Sequence, residues 1–225
     1  MPIAVVCACI ALVGFWPTYF GRLVTGVVHV IPIVHLHAMV FSGWLVLLVA
    51  QTTLAATGRI ELHTKVGRLG ILYGVLLIVV GEATAFAMFG ARLAAGNVQE
   101  ARSRLFAPVT DLMVFAPFLA SAWLYRERPE VHKRLIVVAT TVLLIAAVHR
   151  IAMFGGPPPP LPVLLIVWLL PIGIGVGTDL VRHRGVHIVY ILGVAAVLFM
   201  KFGRRPIARS GFWRQFVDWL VTRYS

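Results

Sequence analysis

Acidic side chains are scarce in this sequence. Eight Asp and Glu stand against twenty Lys and Arg in 225 residues, and charged residues of both signs make up only 12%. A soluble domain of ordinary composition carries about 25%, so most of this chain is not built to face water. Cysteine is nearly missing as well, Cys7 and Cys9 being the only two. Two positions apart on a helix, they point about 200° from each other, which keeps them from sharing a metal ion. They read as small packing residues. The opening run "MPIAVVCACIALVGFW" has no basic leader and no small-residue cleavage site followed by soluble sequence. It reads as a retained span, not a secretory signal.

Apolar length is what the chain has in excess. Hydrophobic residues make up 60% of it, in runs near the roughly 20 residues a helix needs to cross hydrocarbon. The fold class that follows is all-α: a polytopic membrane helix bundle. Seven spans are predicted, at about 3–20, 32–56, 66–90, 107–126, 132–154, 161–181 and 186–202. "TGRIELHTKVGR" (57–68) and "RERPEVHKR" (126–134) are charged turns, and "GGPPPPLP" (155–162) is an extended connector that cannot be helical. The segment 91–106 is too polar to span and is predicted to be a surface helix.

Residues 1–205 thus form a transmembrane bundle, and 206–225 an amphipathic interfacial helix. In "SGFWRQFVDWLVTRYS" one helical face carries Phe212, Trp213, Phe216, Val217, Trp219, Leu220 and Tyr224, with Arg214 and Asp218 opposite. Such a face suits either the membrane interface or the bundle's own end. The net charge of +12 lies in the short segments between apolar runs, where lipid headgroups meet it. The expected partners are therefore membrane lipids and other membrane subunits, not nucleic acid. The side of the N-terminus is called the first side below. Basic residues in the short loops favour that side as cytoplasmic, while the basic tail favours the reverse.

An up-and-down path brings several polar residues to one leaflet, on the second side. His35 and His37 lie within two turns of the start of span 2, and Asp111 about one turn into span 4. Glu82 is near the end of span 3, and His149 and Arg150 are near the end of span 5. Each ionisable group inside a membrane costs on the order of 2.5–3.5 kcal/mol, so partners are expected. His37 shares an inward stripe with Trp44 and Gln51, while His35 points elsewhere by about 200°. On the first side, His63 and His132 each open a helix and form a second possible histidine pair. They also mark a faint repeat: "HAMVF" (37–41) precedes His63, and "DLMVF" (111–115) precedes His132.

"GFWPTYF" (14–20), "HLHAMVFSGWLVLLVAQ" (35–51), "LHTKVGRLG" (62–70), "RPEVHKRLIVVAT" (128–140) and "FWRQFVDWL" (212–220) resemble a widespread family of uncharacterised bacterial multi-pass membrane proteins. The resemblance spans nearly the whole chain. It implies the helical fold and the bacterial inner membrane, and no activity. A looser likeness is to membrane b-type cytochromes and haem A synthase, in which histidines on facing helices ligate haem; their paired-histidine spacing within one helix is missing here.

Four functional readings stay open. A metal ion or haem b would be held by His37 and His149 with His35, supported by Glu82, Asp111, Arg150, Trp44 and Gln51, in a membrane redox role. A transporter, proton relay or accessory subunit would use the same polar cluster without catalysis. An intramembrane zinc hydrolase would use three histidines and Asp111. A purely structural network would pair Arg150 with Asp111 or Glu82 and hydrogen-bond the histidines.

Overall fold

The computed structural model describes residues 1–28, 30–153 and 157–224, the side chain of His183 excepted. The described residues are almost wholly helical, with no strand among them. The helices are α1 (Pro2–Val24), α2 (Pro32–Ala56), α3 (Ile60–Ala94), α4 (Val98–Leu124), α5 (Pro129–Leu143), α6 (Ile145–Ile151), α7 (Leu161–His183), α8 (Ile188–Leu198), α9 (Arg204–Ala208) and α10 (Gly211–Tyr224). Proline opens several of them at the first turn, where its missing N–H costs nothing. The chain is a multi-pass helical membrane bundle. Cys7 is buried and Cys9 exposed, as opposite faces of one helix require.

Five helices are long and apolar enough to cross a membrane: α1, α2, α3, α4 and α7. The pair α5 and α6 makes a sixth if counted as one span, bent by 42° at Leu144. The seventh predicted span, 186–202, is α8 continued by a π-helical turn, Phe199–Gly203, and α9. Lys201, Arg204 and Arg205 leave only 13 uncharged residues from Ile188 to Met200. That is about 20 Å of helix against about 30 Å of hydrocarbon. The segment still runs along the bundle, because Tyr190 lies by Arg134 at the start of α5 and Arg204 reaches Asp111 on α4.

Two boundaries differ from the predicted ones. The surface helix expected over 91–106 does not exist as a separate element. Residues to Ala94 complete α3, and residues from Val98 open α4. A helix of 35 residues is about 52 Å long, so the α3–α4 hairpin has length to extend past the hydrocarbon on the second side. There α10 packs on it. Val217 and Leu220 join Ala85, Phe89, Ala101 and Leu105 in one cluster, with Trp213 edge-on to Phe106 and Tyr224 edge-on to Phe89. Arg102 pairs with Asp218 across the contact. Phe212 and Trp219 on the same helix are exposed. The connector 155–162 is described from Pro157 onward; Gly155 and Gly156, and Phe154 at the predicted end of span 5, lie outside the described residues.

The packing follows the glycines. A Cβ on Gly70, Gly74 or Gly81 of α3 would meet Leu47 of α2, Leu119 of α4, or both Leu112 of α4 and Phe41 of α2. Bare backbone therefore lets α2 and α4 close on α3. Gly14 of α1 does the same for α6, since a Cβ there would sit 2.5 Å from the Ala147 carbonyl oxygen. Pro171 does not break α7, which is continuous through it.

Cysteines placed at Asn97 and Pro158, in a chain with Cys7 and Cys9 changed to Ser, are expected to react with an impermeant thiol reagent from one side of the membrane. Cysteines at Gly58 and Glu127 are expected to react only from the other. Labelling of Asn97→Cys and Pro158→Cys from opposite sides contradicts this path.

Candidate functional site

Pro32 starts α2 with Ile31 extended before it, so His35 and His37 both lie in regular helix and their rings meet different neighbours. His35 turns to α1, where its Nδ1 lies 2.8 Å from the Tyr19 hydroxyl. His37 stacks on Phe41, one turn further along, with ring centroids 4.0 Å apart and an interplanar angle of 24°. Its Nδ1 is buried and has no hydrogen-bond partner.

Phe41 fixes the depth of this layer. A Cβ built on Gly81 would meet the Phe41 ring at 3.2 Å and Leu112 at 2.6 Å. Glu82 follows Gly81 in sequence, and Asp111 precedes Leu112. The polar residues of α2, α3 and α4 therefore share one level, set by an aromatic ring in a glycine notch. Oε2 of Glu82 is buried there without a partner. Asp111 is paired, and its partner was not foreseen. Arg204 of α9 reaches it at 2.5 Å.

The expected pairing of Arg150 with Asp111 or Glu82 is not what the structure shows. Arg150 donates to the Ala146 carbonyl oxygen at 3.0 Å and lies over the Phe15 ring of α1, 4.4 Å from its centroid. Its charge is close enough to act on His37. His149 is exposed at the end of α6, within electrostatic reach of Arg150, Lys201 and Arg204. Trp44 and Gln51 do face inward. The Trp44 indole donates to Thr140 Oγ1 at 3.2 Å, while both amide atoms of Gln51 are buried without partners.

The first-side histidines are occupied. His63 Nδ1 is 3.2 Å from the carbonyl oxygen of Gln51, and His132 Nδ1 is 2.8 Å from that of Ala122. Each opens the second helix of a hairpin and bonds back to the first. The sequence repeat thus has a structural meaning: two hairpins, each tied by a histidine. Among the described residues no three His, Cys, Asp or Glu side chains stand together as metal ligands.

The most buried ionic group was missed by sequence reasoning. Arg134 of α5 and Asp179 of α7 are 2% and 4% exposed. Arg134 Nε and Nη2 donate to the two Asp179 oxygens at 2.8 and 2.5 Å, a bidentate fork. Nη1 donates to the Glu130 carboxylate at 2.7 Å and also to its carbonyl oxygen. Tyr190 of α8 covers the guanidinium, its hydroxyl lying in the notch left by Gly175. Asp179, an acid inside a predicted span, and Arg134, less than one turn into another, were the available signal.

No family model, curated protein or solved structure matches this chain. The site is therefore read from its own geometry.

Arg134→Met or Asp179→Leu alone is expected to destabilise the detergent-solubilised protein by about 3–5 kcal/mol, because each leaves a buried charge without its main partner. The Arg134→Met/Asp179→Leu pair is expected to recover much of that loss. Thermal unfolding of the four proteins checks it; a strictly additive double variant overturns the ion-pair account.

Proposed function

We propose that this chain is a bacterial inner-membrane protein that relays protons through its second-side leaflet, as part of a membrane complex with other subunits. One observation carries the reading. His37 Nδ1 and Glu82 Oε2 are both buried without partners, at one level on adjacent helices. Leaving a buried polar atom unpaired costs about 1–3 kcal/mol, and groups that bind and release a proton are a reason to tolerate the cost. Neutral His37 accepts a proton on its free nitrogen and becomes imidazolium; returning it restores the neutral ring. Glu82 alternates between carboxylate and carboxylic acid. Asp111 in the same layer is held by Arg204.

A second reading has the same histidine as an axial ligand of haem b in a membrane redox role. The free nitrogen of His37 favours it.

In proteoliposomes with a pH-sensitive dye inside, an imposed pH gradient is expected to drive proton flux through the wild-type protein. His37→Ala and Glu82→Gln are each expected to lower that flux by about 100-fold, the low end of what a positioned proton-transfer group contributes. His35→Phe, which loses only the Tyr19 contact, is expected to leave it nearly unchanged. No flux above empty liposomes sinks the relay. A Soret band of about one haem per chain that His37→Ala abolishes transfers the site to the second reading.

A further inference from the structure

Helix α10 crosses the α3–α4 hairpin instead of running along it. Near its start, Trp213 stands edge-on to Phe106 of α4, with ring centroids 4.7 Å apart. At its end, Tyr224 stands edge-on to Phe89 of α3 at 5.7 Å and lies against Gly90. Phe106 comes eight residues after α4 begins at Val98, and Phe89 five residues before α3 ends at Ala94. At 1.5 Å per residue these contacts lie about 12 and 8 Å from the hairpin tip. From Trp213 to Tyr224 the helix itself spans about 17 Å. Its two ends thus differ little in depth, and α10 lies close to the membrane plane. Its level is that of the hydrocarbon edge. Ala85, Phe89 and Leu105, which it covers, fall between Arg92 and Arg104 towards the tip and the Glu82–Asp111 layer below.

Helical periodicity gives α10 two neighbouring stripes, about 100° apart. Trp213, Val217, Leu220 and Tyr224 face the hairpin. Phe212, Phe216, Trp219 and Arg223 form the second stripe, on which Phe212 is 79% and Trp219 54% exposed. Phe216 and Trp219 stack with centroids 6.3 Å apart, and the Arg223 guanidinium lies 5.8 Å from the Trp219 centroid. The opposite flank fixes which way this stripe faces. Asp218 on that flank pairs with Arg102, which stands three residues nearer the hairpin tip than Leu105. Side chains on a helix lean towards its N-terminus, and for α4 that direction is the tip. The Asp218 flank, with exposed Arg214 beside it, therefore faces the tip and water. The aromatic stripe faces the other way, towards the hydrocarbon.

We propose that α10 seats Phe212, Phe216 and Trp219 in the second-side leaflet, at the boundary between acyl chains and headgroups, so that lipid is the partner of this face. A helix lying on a membrane buries such a face about 5–10 Å into that boundary, and tryptophan is enriched at that level. Arg223 reaches the headgroups from the same stripe by its long side chain. The proposal stands apart from the proton reading, since it uses neither His37 nor Glu82. A second copy of the chain or another subunit would cover the same stripe from the side; the in-plane course and the depth favour lipid.

The test uses the full chain, with Cys7 and Cys9 changed to Ser, in vesicles of phosphatidylethanolamine and phosphatidylglycerol. A nitroxide is attached at Phe212→Cys, Trp219→Cys or Arg214→Cys, one per protein. Electron paramagnetic resonance then measures its collisions with oxygen, which concentrates in hydrocarbon, and with a nickel chelate, which stays in water. The labels at 212 and 219 are expected to give an oxygen-to-nickel collision ratio several-fold above that of the label at 214. All three replaced side chains are exposed, and unchanged thermal unfolding shows that the fold is kept. The two lipid-side labels report independently, so either one decides if the other variant unfolds. Equal ratios on the two flanks overturn the proposal, because the stripe then faces water. Few collisions with either reagent at 212 and 219 also overturn it, because protein then covers the stripe.

Discussion

The bundle turns on a short break in α5, where two adjacent threonines meet two tryptophans. Hydrocarbon offers no water to an unpaired backbone group, so a helix bends inside a membrane only where something else takes up the freed polar atoms. Here the Thr141 carbonyl oxygen accepts the Leu144 N–H at 3.1 Å, closing a three-residue turn tighter than the α-helical one, and the Trp168 indole N–H at 2.8 Å. The Thr141 hydroxyl bonds back to Val137, and Thr140 accepts the Trp44 indole. Donors from α2 and α7 thus pin the break from two directions. The bend turns α6 onto α1, where Gly14 admits the backbone at Ala147. Without it, His149 and Arg150 would leave the bundle along the axis of α5.

The two ends of the molecule solve the charge problem differently. On the first side, Arg134, Asp179 and Glu130 close on one another under Tyr190, and His63 and His132 spend their Nδ1 atoms tying hairpins. That end is a clamp. On the second side, His37 and Glu82 keep unpaired atoms, as the Gln51 amide does nearer the first side. Buried polar groups with all partners present hold helices together, while those with partners missing leave something for a proton or a ligand to complete.

Much of this was legible in the sequence, for identifiable reasons. Hydropathy and the charged turns located the membrane helices, because each must satisfy its own backbone bonds over a fixed thickness. The glycines that admit α2 and α4 to α3, namely Gly70, Gly74 and Gly81, fall on nearly one face by 3.6-residue periodicity. The depth of His37, Glu82 and Asp111 followed from counting residues from the helix ends. The extent of α3 and α4 was harder to read, since the polar run 91–106 looks like a separate surface helix when its packing partner, α10, is not in view.

Composition and periodicity alone determined that this is a multi-pass helical protein, because crossing hydrocarbon constrains each segment by itself. Pairing was decided only by the tertiary structure. Asp111 took Arg204, 93 residues away, instead of Arg150, and Arg134 found Asp179, 45 residues away. Depth is a property of one helix and its length, whereas a partner depends on how neighbouring helices rotate and tilt. That rotation is set here by glycine notches and by the break at Leu144, whose consequences extend to residues far away in the chain.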